Sequence, residues 1–192
     1  MTAAAGGRGG GGWIVALVLA AVLPLSGLAA QSPQAASESG WHTFRSATLG
    51  FGFSYPPGWT VKSGCHASRR CIGVLATPGR ADDYALAFEV FFGGLERTAT
   101  DKAIFHRGPD GWIADSRTTS HPAEEFVDGG LRGVRAVVDC GISDTAGVHA
   151  AGECLWVVLS NGRRSVVADT QGTVPITDEI RRVVASVRFI GR

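Results

Sequence analysis

The residues of this 192-residue chain best suited to chemistry are four cysteines and five histidines. Serine nucleophiles need a sharp turn and a neighbouring base, yet the chain has no G-x-S-x-G and no S-x-x-K. His42, His66, His106, His121 and His149 are scattered, with no H-E-x-x-H. His149 and Glu153 stand four apart and would share a helix face. The glycines around them argue instead for a loop over 143–153, and two ligands alone rarely hold a transition metal. Glu124 and Glu125 are adjacent, so in a strand they point to opposite faces and cannot work as an acid/base pair. Together with Asp82 and Asp83 they read as surface charge. The pattern assigns no catalytic residue, no metal and no cofactor, and the chain is expected not to be an enzyme.

Cys65, Cys71, Cys140 and Cys154 are an even set, which in an exported chain reads as two disulfides. Three pairings are possible. The sequence-local one, Cys65–Cys71 with Cys140–Cys154, is favoured, because the first closes a short loop and the second closes a hairpin. Chain entropy gives about 2 and about 3 kcal/mol for these loops. A zinc site would want close pairs such as CxxC, which are absent. The first loop, CHASRRC, carries His66, Arg69 and Arg70, three groups suited to contacting carboxylate or phosphate. Its plainer reading is a stapled, solvated turn. Trp112 sits in the turn-rich segment GPDGW and is expected to plug the end of the core.

Residues 1–30 read as a signal peptide. Arg8 supplies the basic region, Trp13 to Leu23 the apolar run, and Gly27, Ala29 and Ala30 the small residues of a cleavage site. Cleavage is expected next to Ala30. An uncleaved inner-membrane anchor is the alternative, since 13–30 approaches the length of a span. Either way residues 31–192 lie outside the cytoplasm, periplasmic or secreted, with no stable membrane span after cleavage. The chain has 18 basic and 17 acidic residues, and Arg8 leaves with the leader. The balanced remainder has no broad field for nucleic acid or anionic lipid.

Residues 31–40 are small and polar, a flexible linker, and 41–192 suit one domain. Strands are expected over 41–46, at Phe51, Phe53 and Tyr55, over Trp59–Ser63, over Ile72–Thr77 and over Asp83–Phe92, whose two faces are both largely apolar. A short helix is expected over Thr98–Phe105, capped by Thr98 or Thr100. The segment 107–123 has no clear pattern. Gly133–Ile142, Cys154–Ser160 and Arg164–Thr170 read as an antiparallel meander, with Asn161 and Gly162 turning the last hairpin. Ile176, Ile180, Val183, Val184 and Val187 form one apolar stripe of a closing helix capped by Thr177.

GFGFSYPPGW, residues 50–59, resembles the N-terminal signature of PsbP-like proteins, and Ala185-Ser186-Val187-Arg188-Phe189 resembles their closing helix-to-strand segment. The likeness spans about residues 41–190. It implies the α/β/α sandwich of PsbP, its periplasmic relatives and the DcrB-like proteins, a scaffold used by photosystem subunits, assembly factors and adaptors. Two cysteine pairs are not part of that pattern.

The expected fold is therefore α+β: a mainly antiparallel sheet with a closing amphipathic helix and a short middle helix packed on it. The expected function is non-enzymatic binding or envelope assembly, through an envelope protein partner that His66, Arg69 and Arg70 would contact. A small ligand held between sheet and helix is the alternative, and an enzyme with an unrecognised site is a third.

Overall fold

Alternating aromatics at Phe51, Phe53 and Tyr55 form a strand, as their period requires. In the computed structural model, which describes residues 40–76, 84–144, 147–172 and 174–191, this strand is β2 (Phe51–Tyr55). The expected signal peptide, residues 31–39 of the expected linker, Asp82 and Asp83 lie outside the described residues. β2 is the centre of a three-stranded sheet, between β1 (His42–Ser46) and the two-residue β12 (Arg188–Phe189).

A larger antiparallel sheet carries the rest. Its members are β3 (Thr60–Ser63), β4 (Cys71–Leu75), β5 (Leu86–Phe92), β6 (Phe105–Gly108), β7 (Gly111–Asp115), β8 (Ser120–Asp128), β9 (Leu131–Asp144), β10 (Gly147–Ser160) and β11 (Arg164–Asp169). They lie in the order β3-β4-β5-β11-β10-β9-β8-β7-β6. With α1 (Leu95–Lys102) and α2 (Asp178–Ala185) the protein is α+β.

The two faces of the large sheet hold separate cores. On one face Leu86, Phe88, Val166, Val157 and Leu159 pack against Ile180 and Val183 of α2, Val187 just after it, and Phe51 and Phe53. The Phe53 and Phe88 rings lie 4.6 Å apart. On the other face Val134, Val138, Val158 and Val167 pack beneath Leu95 and Ala99 of α1, joined by Phe105 and Trp112. Fully burying one such side chain stabilises by about 1.5–3 kcal/mol.

The closing helix forms where its stripe placed it. Thr177 Oγ1 accepts the Ile180 amide at 3.4 Å, a side-chain cap on an otherwise orphaned donor. Ser54 N–H donates to Ser186 Oγ at 2.8 Å and ties the helix end to β2. The chain then pairs Phe189 with Phe51.

Two expectations need correction, and one segment left without a pattern is settled. The middle helix starts at Leu95, not Thr98, and Phe105 belongs to β6. Gly94 is its N-cap with no side-chain cap bond, and Thr98 is buried inside the helix. The segment 107–123 is not irregular: β6, β7 and the start of β8 continue the meander, with Pro109 and Asp110 at the first turn. The 143–153 segment is not a loop. β9 and β10 pair as far as Asp144 and Gly147, with a register shift between Ala150 and Glu153. His149 therefore lies in a strand. Small residues there carry no alternation, so only the backbone ladder reveals the strand.

Candidate functional site

Cys65 and Cys71 are joined, with Cα atoms 5.0 Å apart, and both are buried. Cys140 and Cys154 are joined likewise across β9 and β10, with Cα atoms 5.4 Å apart. Disulfides of this kind persist in oxidising, extracytoplasmic compartments. No helix among the described residues is long and apolar enough to cross a membrane.

The first bridge shapes the CHASRRC loop. Gly64 N–H donates to Cys71 O at 2.8 Å and Ser68 N–H to Cys65 O at 2.9 Å, so the loop closes on itself. Such tight closure forces His66 and Ala67 to φ values of 48° and 55°, a left-handed region that side chains disfavour. Val90 N–H donates to Arg70 O at 3.3 Å, anchoring the loop to β5.

The loop does not present its three basic residues as one patch. His66 turns toward β11, where its Nε2 lies 3.8 Å from Asp169 Oδ2. Arg69 is exposed. Arg70 reaches the other way, its guanidinium 5.7 Å from the centre of the Phe92 ring. Arg164, directly opposite Phe92 in the β5–β11 pairing, approaches the same ring at 5.9 Å. Phe92 itself is 69% exposed. It continues the face of Leu86, Phe88 and Val90, but projects past the cover that buries them.

Further cations gather at this end of the sheet. Lys102 lies 6.0 Å from the Phe91 ring, and Arg163 sits in the β10–β11 turn, where its carbonyl accepts from Gly93 N–H at 2.9 Å. A hollow of about 150 Å³ opens between Arg70, Phe92, Arg97 and Lys102. Arg97 is ion-paired with Asp101 at 3.6 Å. Arg69, Arg70, Arg163, Arg164 and Lys102 have no carboxylate within salt-bridge distance among the described residues. Only Arg69 and Arg70 were visible as a unit in the sequence; Phe92, Lys102 and Arg164 join them through strand pairing and helix packing.

No family model and no curated protein matches the chain. Among solved structures, it is similar to cyanobacterial PsbP (CyanoP) from Synechocystis sp. PCC 6803, at 13% identity and a TM-score of 0.44 over 82% of this chain and 97% of that one. It is also similar to a protein from Bacteroides thetaiotaomicron VPI-5482, at 14% identity and a TM-score of 0.39 over 79% of this chain. The chain spans about half of that protein's length, 49%. Similarity of this degree assigns no residue a role.

The remaining polar clusters pair within the large sheet. Glu124 pairs with Arg135 through bonds of 2.8 and 2.9 Å, and the guanidinium holds its carboxyl below the ordinary range. Glu125, on the opposite face, accepts from Arg132 at 2.6 Å, from Arg107 at 3.1 Å and from Trp112 Nε1 at 3.1 Å. Arg132 is the main cause of its lowered pKa. Trp112 is buried, as expected, with Arg107 stacked 4.0 Å above its ring. His106 Nδ1 pairs with Asp115 at 2.8 Å, and His121 with Thr119 Oγ1 at 2.7 Å. No group of three or more potential metal ligands converges among the described residues.

Proposed function

We propose that the chain is an exported, non-enzymatic binding domain that docks an acidic protein partner on the Phe92 end of its large sheet, in the service of envelope assembly. One observation carries this reading: an exposed phenylalanine held between Arg70 and Arg164, neither of them neutralised by a carboxylate among the described residues. Binding energy at interfaces concentrates in aromatic and arginine anchors. Guanidinium forks match carboxylates bidentately. Stacking on the ring also presents those forks at fixed positions, so less entropy is lost when a partner engages them.

The test is a photo-crosslinking amino acid in place of Phe92, with the protein in its native envelope. The reading expects a discrete protein adduct that is lost when Arg70→Ala and Arg164→Ala are combined in the same chain. No adduct, or one indifferent to both arginines, overturns it.

A further inference from the structure

One face of α1 buries Leu95, Thr98 and Ala99, spaced i, i+3, i+4. Two of the three are apolar; the third carries a hydroxyl. Thr98 is 2% exposed, yet it lines the hollow of about 150 Å³ at the Phe92 end. A helical threonine often returns its hydroxyl to the carbonyl four residues back. Here Gly94 O accepts the Thr98 N–H at 3.2 Å, and the hydroxyl has no hydrogen-bond partner among the described residues. No sealed polar side-chain atom among those residues lacks a partner. The Thr98 hydroxyl is therefore open, and what it opens into is the hollow. Gly93 leaves it uncovered: a Cβ there would stand 3.9 Å from Thr98 Oγ1.

The charges around this donor select its acceptor. Arg97 is taken by Asp101, which leaves Arg70 and Lys102 to face an incoming anion. Asp101 lines the hollow too, and its charge weighs more heavily against a phosphate dianion than against a carboxylate. The volume lies well below the roughly 300–1,000 Å³ of small-molecule sites, so it takes one side chain. Phe91 and Phe92 offer apolar surface to the methylenes of that side chain. Thr98 is the one buried residue of the lining; glutamate is long enough to reach it, and aspartate is a methylene shorter. Resting on the reading of this end as a docking surface for an acidic protein, we propose that the hollow is the socket for one glutamate side chain of that partner. Its carboxylate accepts from Thr98 Oγ1 and pairs with Arg70 and Lys102.

The probe is a capped tripeptide, acetyl-Ala-Glu-Ala-amide, titrated into the oxidised protein and followed by NMR at the Thr98 and Lys102 amides. Its glutamine counterpart should bind about tenfold or more weakly, having lost charge-assisted hydrogen bonds. The aspartate counterpart should also bind more weakly, because it stops short of Thr98. Thr98→Val removes the hydroxyl at nearly constant shape. It should weaken the glutamate peptide about tenfold and erase its advantage over aspartate. The melting temperature should not fall, since the hydroxyl bonds nothing within the chain; a fall would show that it serves the fold instead. Lys102→Met keeps the stem and should weaken both acidic peptides. Equal affinity for glutamate and glutamine, no binding of either, a preference indifferent to Thr98→Val, or tighter binding of inorganic phosphate each overturns the socket. None of these outcomes touches the docking surface, which stands or falls with the crosslink at position 92.

Discussion

His66 Nε2 lies 3.8 Å from Asp169 Oδ2, which joins the strained disulfide loop to a carboxylate at the end of β11. The Asp169 side chain is only 14% exposed. Burial pushes its pKa from 3.8 up to about 6; His66 opposes that rise and Glu89 adds to it.

The pH dependence follows with a definite sign. An acid whose folded pKa is raised binds more protons folded than unfolded between about pH 4 and 6. Stability therefore falls as pH rises through that window, and the penalty is complete above it. The difference between 3.8 and about 6 corresponds to about 3 kcal/mol. Asp169→Asn should stabilise the protein at pH 7 and flatten this part of the profile. Urea denaturation at a series of pH values measures both. An unchanged slope in the variant would show that Asp169 does not titrate as its surroundings require.

The phasing of α2 gives a sharper contrast. Val183 is fully buried, and Val183→Asp would set a carboxylate against Phe88 and its neighbours. That costs several kcal/mol of a total stability of about 5–15 kcal/mol. Arg182, one position away, is exposed and stacks 4.6 Å over the Trp41 ring. Arg182→Ala should cost no more than about 1 kcal/mol, the scale of an exposed cation–π contact. Thermal melts of the two variants should differ widely.

The neighbours Glu124 and Glu125 should behave differently when each is replaced by Ala. Glu124 is an exposed strand residue paired with one arginine, and its loss should hardly register. Glu125 is the acceptor for the indole N–H of buried Trp112, and removing it leaves that donor unpaired at about 1–3 kcal/mol. Chemical denaturation distinguishes them; equal midpoints would mean that water takes over the indole.

This pair also shows what the sequence could and could not reveal. That two adjacent strand residues face apart is geometry, legible from spacing alone. That one of them serves a tryptophan thirteen residues away depends on the β7–β8 register, Trp112 opposite Ala123, which no local pattern encodes. α2, β2 and β5 were legible because each buries a periodic apolar face. β6 to β8 were not, because their charges pair across strands and blur the alternation. The start of α1 was misplaced because Gly93 and Gly94 offer no side-chain cap, while Thr98 and Thr100 look like caps. The basic end was half legible: Arg69 and Arg70 stand beside a cysteine, but Phe92, Lys102 and Arg164 reach them only through the fold.

The division of the CHASRRC loop yields the last prediction. If the Phe92 end is the docking surface, Arg70 belongs to it and His66 does not, since His66 faces Asp169. Arg69→Ala with Arg70→Ala should leave the melting temperature nearly unchanged, because exposed charges contribute little to stability. It should reduce the crosslink formed at position 92, and the deficit should be largest at low salt, where screening is weakest. His66→Ala should leave that crosslink intact. Replacing Cys65 and Cys71 by serine should reduce it as well, through loss of the constraint that holds Arg70 beside Phe92. This double variant should also lose about 2 kcal/mol of stability, the entropy of a short closed loop. The three variants are read together in one crosslinking series at low and at physiological salt. A crosslink that His66→Ala abolishes and the double arginine variant spares would move the docking surface from Phe92 to the Asp169 side of the loop.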